Sequence, residues 1–120
     1  MTLNRILLYA RDVEATVRFY ETHFGFAAVR QAGDRIVELV HPEGGANLMV
    51  HPAAKSQRQG QSQVKLVFSV GDIQTFCAAS ADKGLIFGPV HAADGYGFAN
   101  ARDPDGNPIS ISGRGTTPAS

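Results

Sequence analysis

Arg5-Ile6-Leu7-Leu8-Tyr9-Ala10-Arg11-Asp12-Val13 and, sixty residues on, Lys65-Leu66-Val67-Phe68-Ser69-Val70-Gly71-Asp72-Ile73 follow one pattern. A cation leads a run of aliphatic and aromatic residues, and an aspartate and a β-branched residue close it. The correspondence continues outward. Gly25 answers Gly84 at an offset of 59, and His41-Pro42-Glu43-Gly44 answers Asp103-Pro104-Asp105-Gly106 at 62. Leu48-Met49-Val50 answers Ile109-Ser110-Ile111 at 61. Chance matches do not keep both order and spacing, so the chain reads as two copies of one module.

Each copy predicts the same elements. Residues 3–10 and 63–70 are rich in the β-branched and aromatic side chains that suit a pleated sheet. Asp12 and Asp72 sit where a helix N-cap accepts from orphan backbone N–H groups. Val13, Val17, Tyr20 and Phe24 then recur at helical spacing, as do Ile73, Phe76, Cys77 and Ser80. Glu14 and Arg18 are spaced to pair on the solvent side. Gly25 and Gly84 fall where a left-handed residue ends a helix. Three strands are expected after each helix, over 26–32, 35–41 and 46–51 in the first copy and over 85–91, 96–102 and 107–112 in the second. Pro42 and Pro104 take the second position of four-residue turns that Gly44 and Gly106 close.

The expected architecture is therefore α+β, with two βαβββ modules whose curved mixed sheets form an open, barrel-like cleft. Module one covers 3–51, a polar linker 52–62, module two 63–112, and a frayed tail 113–120, all within a single domain of 120 residues. One helix cannot cover both faces of a four-stranded sheet, so a homodimer is the economical way to complete the cleft.

Eleven basic residues balance eleven acidic ones. That neutrality argues against nucleic-acid and anionic-membrane partners, which call for a basic excess. The apolar runs fall far short of the ~20 residues that span a bilayer, and no signal peptide is expected. A single cysteine, Cys77, cannot form an internal disulfide and fits a reducing, cytoplasmic compartment.

The two βαβββ modules, the helix stretch Asp12 to Tyr20 with Phe24-Gly25-Phe26, and the segment Asp103-Pro104-Asp105-Gly106-Asn107 resemble the vicinal oxygen chelate superfamily. That superfamily includes glyoxalase I, bleomycin resistance proteins, extradiol dioxygenases and fosfomycin resistance enzymes. The resemblance covers residues 3–112. It implies a divalent metal held by four side chains, one from the first and one from the last strand of each module. Here the corresponding positions are Arg5 and Lys65, and Met49 and Ser110. Two are cations, and none is a good donor for a hard or borderline ion. No metal site and no cofactor are expected.

The side chains expected on the inner faces include Arg5, Tyr9, Met49, His51, Lys65 and Ser110, with Glu38 and Asn100 at matching places on the middle strands. Arg5 and Lys65 are candidates to anchor an anionic group; pairing with Glu38 is the structural alternative. Tyr9, Tyr96 and Phe98 are candidates to stack on a flat ligand. Glu38 is the candidate general base. Three readings stand. The favoured one is a metal-free protein that binds or sequesters a small organic ligand, anionic or aromatic. The second is a metal-dependent lyase or dioxygenase with a displaced site that uses His51 and Glu38. The third is a cofactor-independent enzyme with Glu38 as base. The residues leave open whether a reaction is catalysed.

Overall fold

The computed structural model describes residues 1–115. One compact unit, Met1–Arg58, holds β1 (Arg5–Ala10), α1 (Val13–Phe24), β2 (Ala27–Val29), β3 (Val37–Val40) and β4 (Asn47–Pro52). The second, from Gln59 onward, holds β5 (Leu66–Ser69), α2 (Ile73–Asp82), β6 (His91–Ala93), β7 (Tyr96–Arg102) and β8 (Pro108–Ser112).

Local chemistry sets the helix ends. The Asp12 carboxylate accepts from the Ala15 N–H at 3.0 Å, and Asp72 accepts from Thr75 at 3.0 Å. The Thr75 bond favours the ionised form and holds the Asp72 carboxyl below its ordinary range. Gly25, at φ 76°, closes α1 in the left-handed region. Gly84, at φ 93°, follows α2 in the same conformation.

Each unit forms an open four-stranded sheet, ordered β1-β4-β3-β2 in one and β5-β8-β7-β6 in the other. The first and last strands of each module run parallel, and the other neighbours are antiparallel. Leu7 lies opposite Met49, and Met49 opposite Glu38. At the same place in the second sheet, Val67 lies opposite Ser110, and Ser110 opposite Asn100. The repeat seen in the sequence is thus a repeat of register.

Strand alternation then sorts the faces. Val37, Leu39, Leu48 and Val50 are buried, as are Thr16, Val17, Tyr20 and Phe24 of α1, which packs on β2, β3 and β4. In the second unit Leu66, Ala99, Ile109 and Ile111 form the corresponding buried set. A fully buried aliphatic side chain of this kind contributes about 1.5–3 kcal/mol. Glu38, Met49 and Asn100 lie on the opposite faces, which carry the candidate ligand-binding side chains.

Four expectations change. No strand forms over 85–90: the Gly88 N–H makes a single bond to Asn100 O at 2.9 Å, Pro89 has no N–H to donate, and the ladder starts at His91 opposite Phe98. His91 therefore begins a strand rather than ending one. Leu85 and Phe87 are still buried, with the Phe87 ring 6.1 Å from that of Phe76. In the first unit β2 stops at Val29 because a turn closes from Gln31 to Asp34. Glu14 is held by Arg30 through two bonds of 2.6 and 2.8 Å, where Arg18 was the expected partner. That fork keeps the Glu14 carboxyl ionised below its usual range.

The segment 52–62 is tied to the units on either side. Ala53 donates to Ala10 O, and Gln59 donates to Asp105 at 2.8 Å. Of the tail, Gly113 bonds Gly97 O and Arg114 bonds the Ser112 hydroxyl, while residues 116–120 lie outside the described residues.

Gly106 has two reasons to be glycine. Its φ is +82°, and an added Cβ would sit 3.1 Å from Gly60 Cα. Gly95 has a similar φ of +76° but open space around it. Gly95→Ala should cost about 1–2 kcal/mol from left-handed strain alone. Gly106→Ala should cost measurably more in chemical denaturation, and equal losses would show that the approach of Gly60 has no energetic weight.

Candidate functional site

The helix-free face of the first sheet carries Arg5, Leu7 and Tyr9 from β1, Met49 and His51 from β4, and Glu38 from β3. Arg5 Nε donates to Glu38 Oε1 at 2.8 Å across the intervening β4 strand. About half of the Arg5 side chain is exposed, so the pair is water-screened and holds position more than it stabilises. Glu38 therefore spends one carboxylate oxygen on a guanidinium, in a charge-assisted hydrogen bond. Tyr9 pairs with His51 in the ladder, and their rings meet edge to face at 5.5 Å and 67°. His51 Nδ1 lies 2.7 Å from Pro52 O. A carbonyl only accepts, so Nδ1 is the donor, and in the neutral ring this tautomer leaves the lone pair on Nε2.

The second face repeats the arrangement with one change of charge. Lys65 Nζ donates to Asn100 Oδ1 at 2.9 Å, again joining a first-strand cation to a middle-strand polar group. Here the acceptor is a neutral amide. Ser110 lies between Val67 and Asn100 in the ladder, but it is buried and its hydroxyl donates to Ala99 O at 3.0 Å. Phe98 lies two residues from Asn100 on the same face. Its ring is 5.1 Å from that of His91 and 6.4 Å from that of Tyr96.

The structure therefore gathers the nine residues singled out from the sequence onto two faces. Arg5, Tyr9, Glu38, Met49 and His51 share the first; Lys65, Phe98, Asn100 and Ser110 share the second. Sequence reasoning allowed Lys65 a carboxylate partner in Glu38, whereas its hydrogen bond goes to Asn100. His91 was not among the residues singled out from the sequence, and its ring extends the aromatic group on the second face. The signal available for His91 was its position just before a Gly-containing hairpin turn at Asp94-Gly95.

The four positions at which the resemblance places metal donors do not suit a divalent ion. Arg5 and Lys65 are cations engaged with Glu38 and Asn100, Met49 offers a soft thioether, and the Ser110 hydroxyl already donates to a carbonyl. Among the described residues no group of three His, Cys, Asp or Glu side chains is placed to hold an ion. None of the described helices is long and apolar enough to cross a membrane.

A family model described as the Glyoxalase/Bleomycin resistance protein/Dioxygenase superfamily matches residues 2–111. No curated protein matches the chain significantly. Among solved structures, a virulence protein from Salmonella typhimurium is 26% identical, with 93% of this chain and 95% of that one covered and a TM-score of 0.72. A lactoylglutathione lyase from Agrobacterium tumefaciens is 21% identical, with 92% of each chain covered and a TM-score of 0.72. An antibiotic-binding protein from Streptomyces, TnmS3, is 19% identical, with 92% and 93% covered and a TM-score of 0.77. At such identities the last two share the fold alone.

The exposed pair on the first face has a measurable signature. A double-mutant cycle with Arg5→Ala and Glu38→Gln should return a coupling below about 1 kcal/mol in stability. A coupling of several kcal/mol would mean that the pair is shielded from water in solution.

Proposed function

Because the chain belongs to the Glyoxalase/Bleomycin resistance protein/Dioxygenase superfamily, we propose that it is a metal-independent protein that binds or sequesters a small organic molecule on the helix-free sheet faces. The observation that supports this reading is the pair of tethered cations, Arg5 on Glu38 and Lys65 on Asn100, at positions where the resemblance expects metal donors. A tethered cation attracts and orients an anionic or polar group without the vacant coordination positions that a metal needs. In this reading Arg5, Glu38, Lys65 and Asn100 fix polar groups of the ligand. Tyr9, Met49, His51 and Phe98 supply apolar and aromatic surface, and Ser110 helps to shape the second face. A structural neighbour described as antibiotic-binding is in keeping with it.

The proposal includes a single functional domain over residues 1–120 and a homodimer. Tyr9, Val29 and Val67 are exposed, and a second copy of the chain would shelter such apolar groups. It also includes a reducing, cytoplasmic setting, for which the single cysteine is the basis. A lyase or dioxygenase with a displaced metal has less support, because among the described residues no group of three His, Cys, Asp or Glu side chains, Glu38 and His51 included, is placed to hold an ion.

The test is a thermal-shift screen of EDTA-treated protein against aromatic acids and antibiotics. A true ligand at a hundredfold excess over its Kd stabilises by about 2.7 kcal/mol, so a clear rise in Tm with EDTA present is expected. A screen in which only zinc, nickel, manganese or iron raises Tm contradicts the reading.

A further inference from the structure

The two faces differ in charge balance, and the difference points to a ligand class. On the first face the cation is neutralised: Arg5 meets the Glu38 carboxylate at 2.8 Å. On the second, Lys65 meets only the neutral amide oxygen of Asn100. Among the described residues no carboxylate lies within ion-pair distance of Lys65. An ammonium has three donors, and Asn100 takes one. Two N–H groups and a full positive charge remain available.

The surroundings of that charge are apolar and aromatic. Val67, beside Ser110 in the ladder, is 59% exposed. Phe98 and Asn100 are two residues apart on one strand, an interval of about 7 Å. Next to Phe98 the His91 and Tyr96 rings lie 5.1 and 6.4 Å away and are tilted to it by 33° and 41°, so the three rings form an uneven aromatic shelf, with the Arg114 guanidinium 5.8 Å from the Tyr96 ring centre. The first face offers no equivalent shelf, since Tyr9 and His51 meet edge to face.

From this juxtaposition we infer that the second face selects a planar aromatic monoanion, an aryl carboxylate or its equivalent. Its anionic group sits on Lys65 and Asn100, and its ring lies over the Phe98–Tyr96–His91 shelf. Asn100 and Phe98 stand about 7 Å apart along the strand, a spacing that a fused or substituted aryl acid can bridge. The carboxylate takes the free ammonium donors, and the Asn100 side-chain amide supplies a further N–H donor. The ring is held by stacking and apolar contact. Arg5, already paired, makes no comparable demand. This inference rests on the small-molecule reading above and gives that reading a substrate class.

The test uses the full chain and amide chemical-shift perturbation with three probes: 1-naphthoate, the neutral 1-naphthamide and the non-aromatic cyclohexanecarboxylate. Naphthoate should shift β5 and β7 amides around Lys65 and Tyr96–Asn100, and should bind at least fivefold more tightly than either other probe. Lys65→Met should weaken naphthoate about fivefold and leave naphthamide unchanged, with Lys65→Arg restoring the naphthoate affinity. Phe98→Leu should weaken both aromatic probes. Lys65 is exposed, so its substitutions leave the fold intact as judged by the unshifted amides of α1. Equal affinities for naphthoate and naphthamide, or naphthoate shifts centred on Arg5, overturn the inference. If naphthoate fails while other members of a small-molecule panel shift the same faces, the ligand class is wrong and the binding reading survives. If no organic molecule shifts either face, both fall.

Discussion

In each unit a parallel ladder joins the first strand to the last, Leu7 to Met49 and Val67 to Ser110, and only a crossover connection can close such a pair. The helix and the two antiparallel strands that follow supply that connection. Once the ladder is in register, strand alternation leaves no freedom about the faces. Leu48 and Val50, or Ile109 and Ile111, turn to the buried side, and Met49 or Ser110 to the other. A slip of one residue would bury Glu38 or Asn100 and expose Leu39 or Ala99, so the apolar core holds the polar pairs in place.

The same ladder brings a first-strand cation over the last strand to a middle-strand acceptor in both halves. Arg5 reaches Glu38 and Lys65 reaches Asn100 by equivalent routes, at 2.8 and 2.9 Å. The geometry is duplicated, but the charge is not: one half is an ion pair, the other an ion with a dipole. In exposed settings neither contributes much to stability. Their effect is on position and local potential, which are the properties a binding surface needs. The scaffold resembles proteins whose chemistry is organised by a metal, yet it offers two organic cations and two non-ionic side chains at the equivalent places.

Much of this was legible in the chain. The repeat offsets of 59 to 62 foretold equivalent registers, and Asp12, Asp72, Gly25 and Gly84 marked the helix ends by their local chemistry. Pro42-Glu43-Gly44 and Pro104-Asp105-Gly106 marked the turns, which close through Gly44 to His41 and Gly106 to Asp103. The candidate residues were legible because a period of two assigns faces. What was hidden depended on partners distant in sequence. The apolar run Leu85 to Val90 reads as a strand, but Leu85 and Phe87 turn into the core from a segment without a ladder, in which Pro89 has no N–H to donate. Glu14 takes Arg30, sixteen residues away, over the helical neighbour Arg18. That Lys65 would find an amide, and that the Ser110 hydroxyl would turn to a backbone carbonyl, follow from side-chain geometry no pattern encodes.

Anomalous diffraction at the zinc and manganese edges, from crystals soaked in each ion, shows whether either helix-free face holds a divalent metal. Cations and non-donors standing where an ion would be held predict no anomalous peak against either helix-free face. A peak coordinated by Met49 or Ser110, with Arg5 or Lys65 swung aside, would contradict the account.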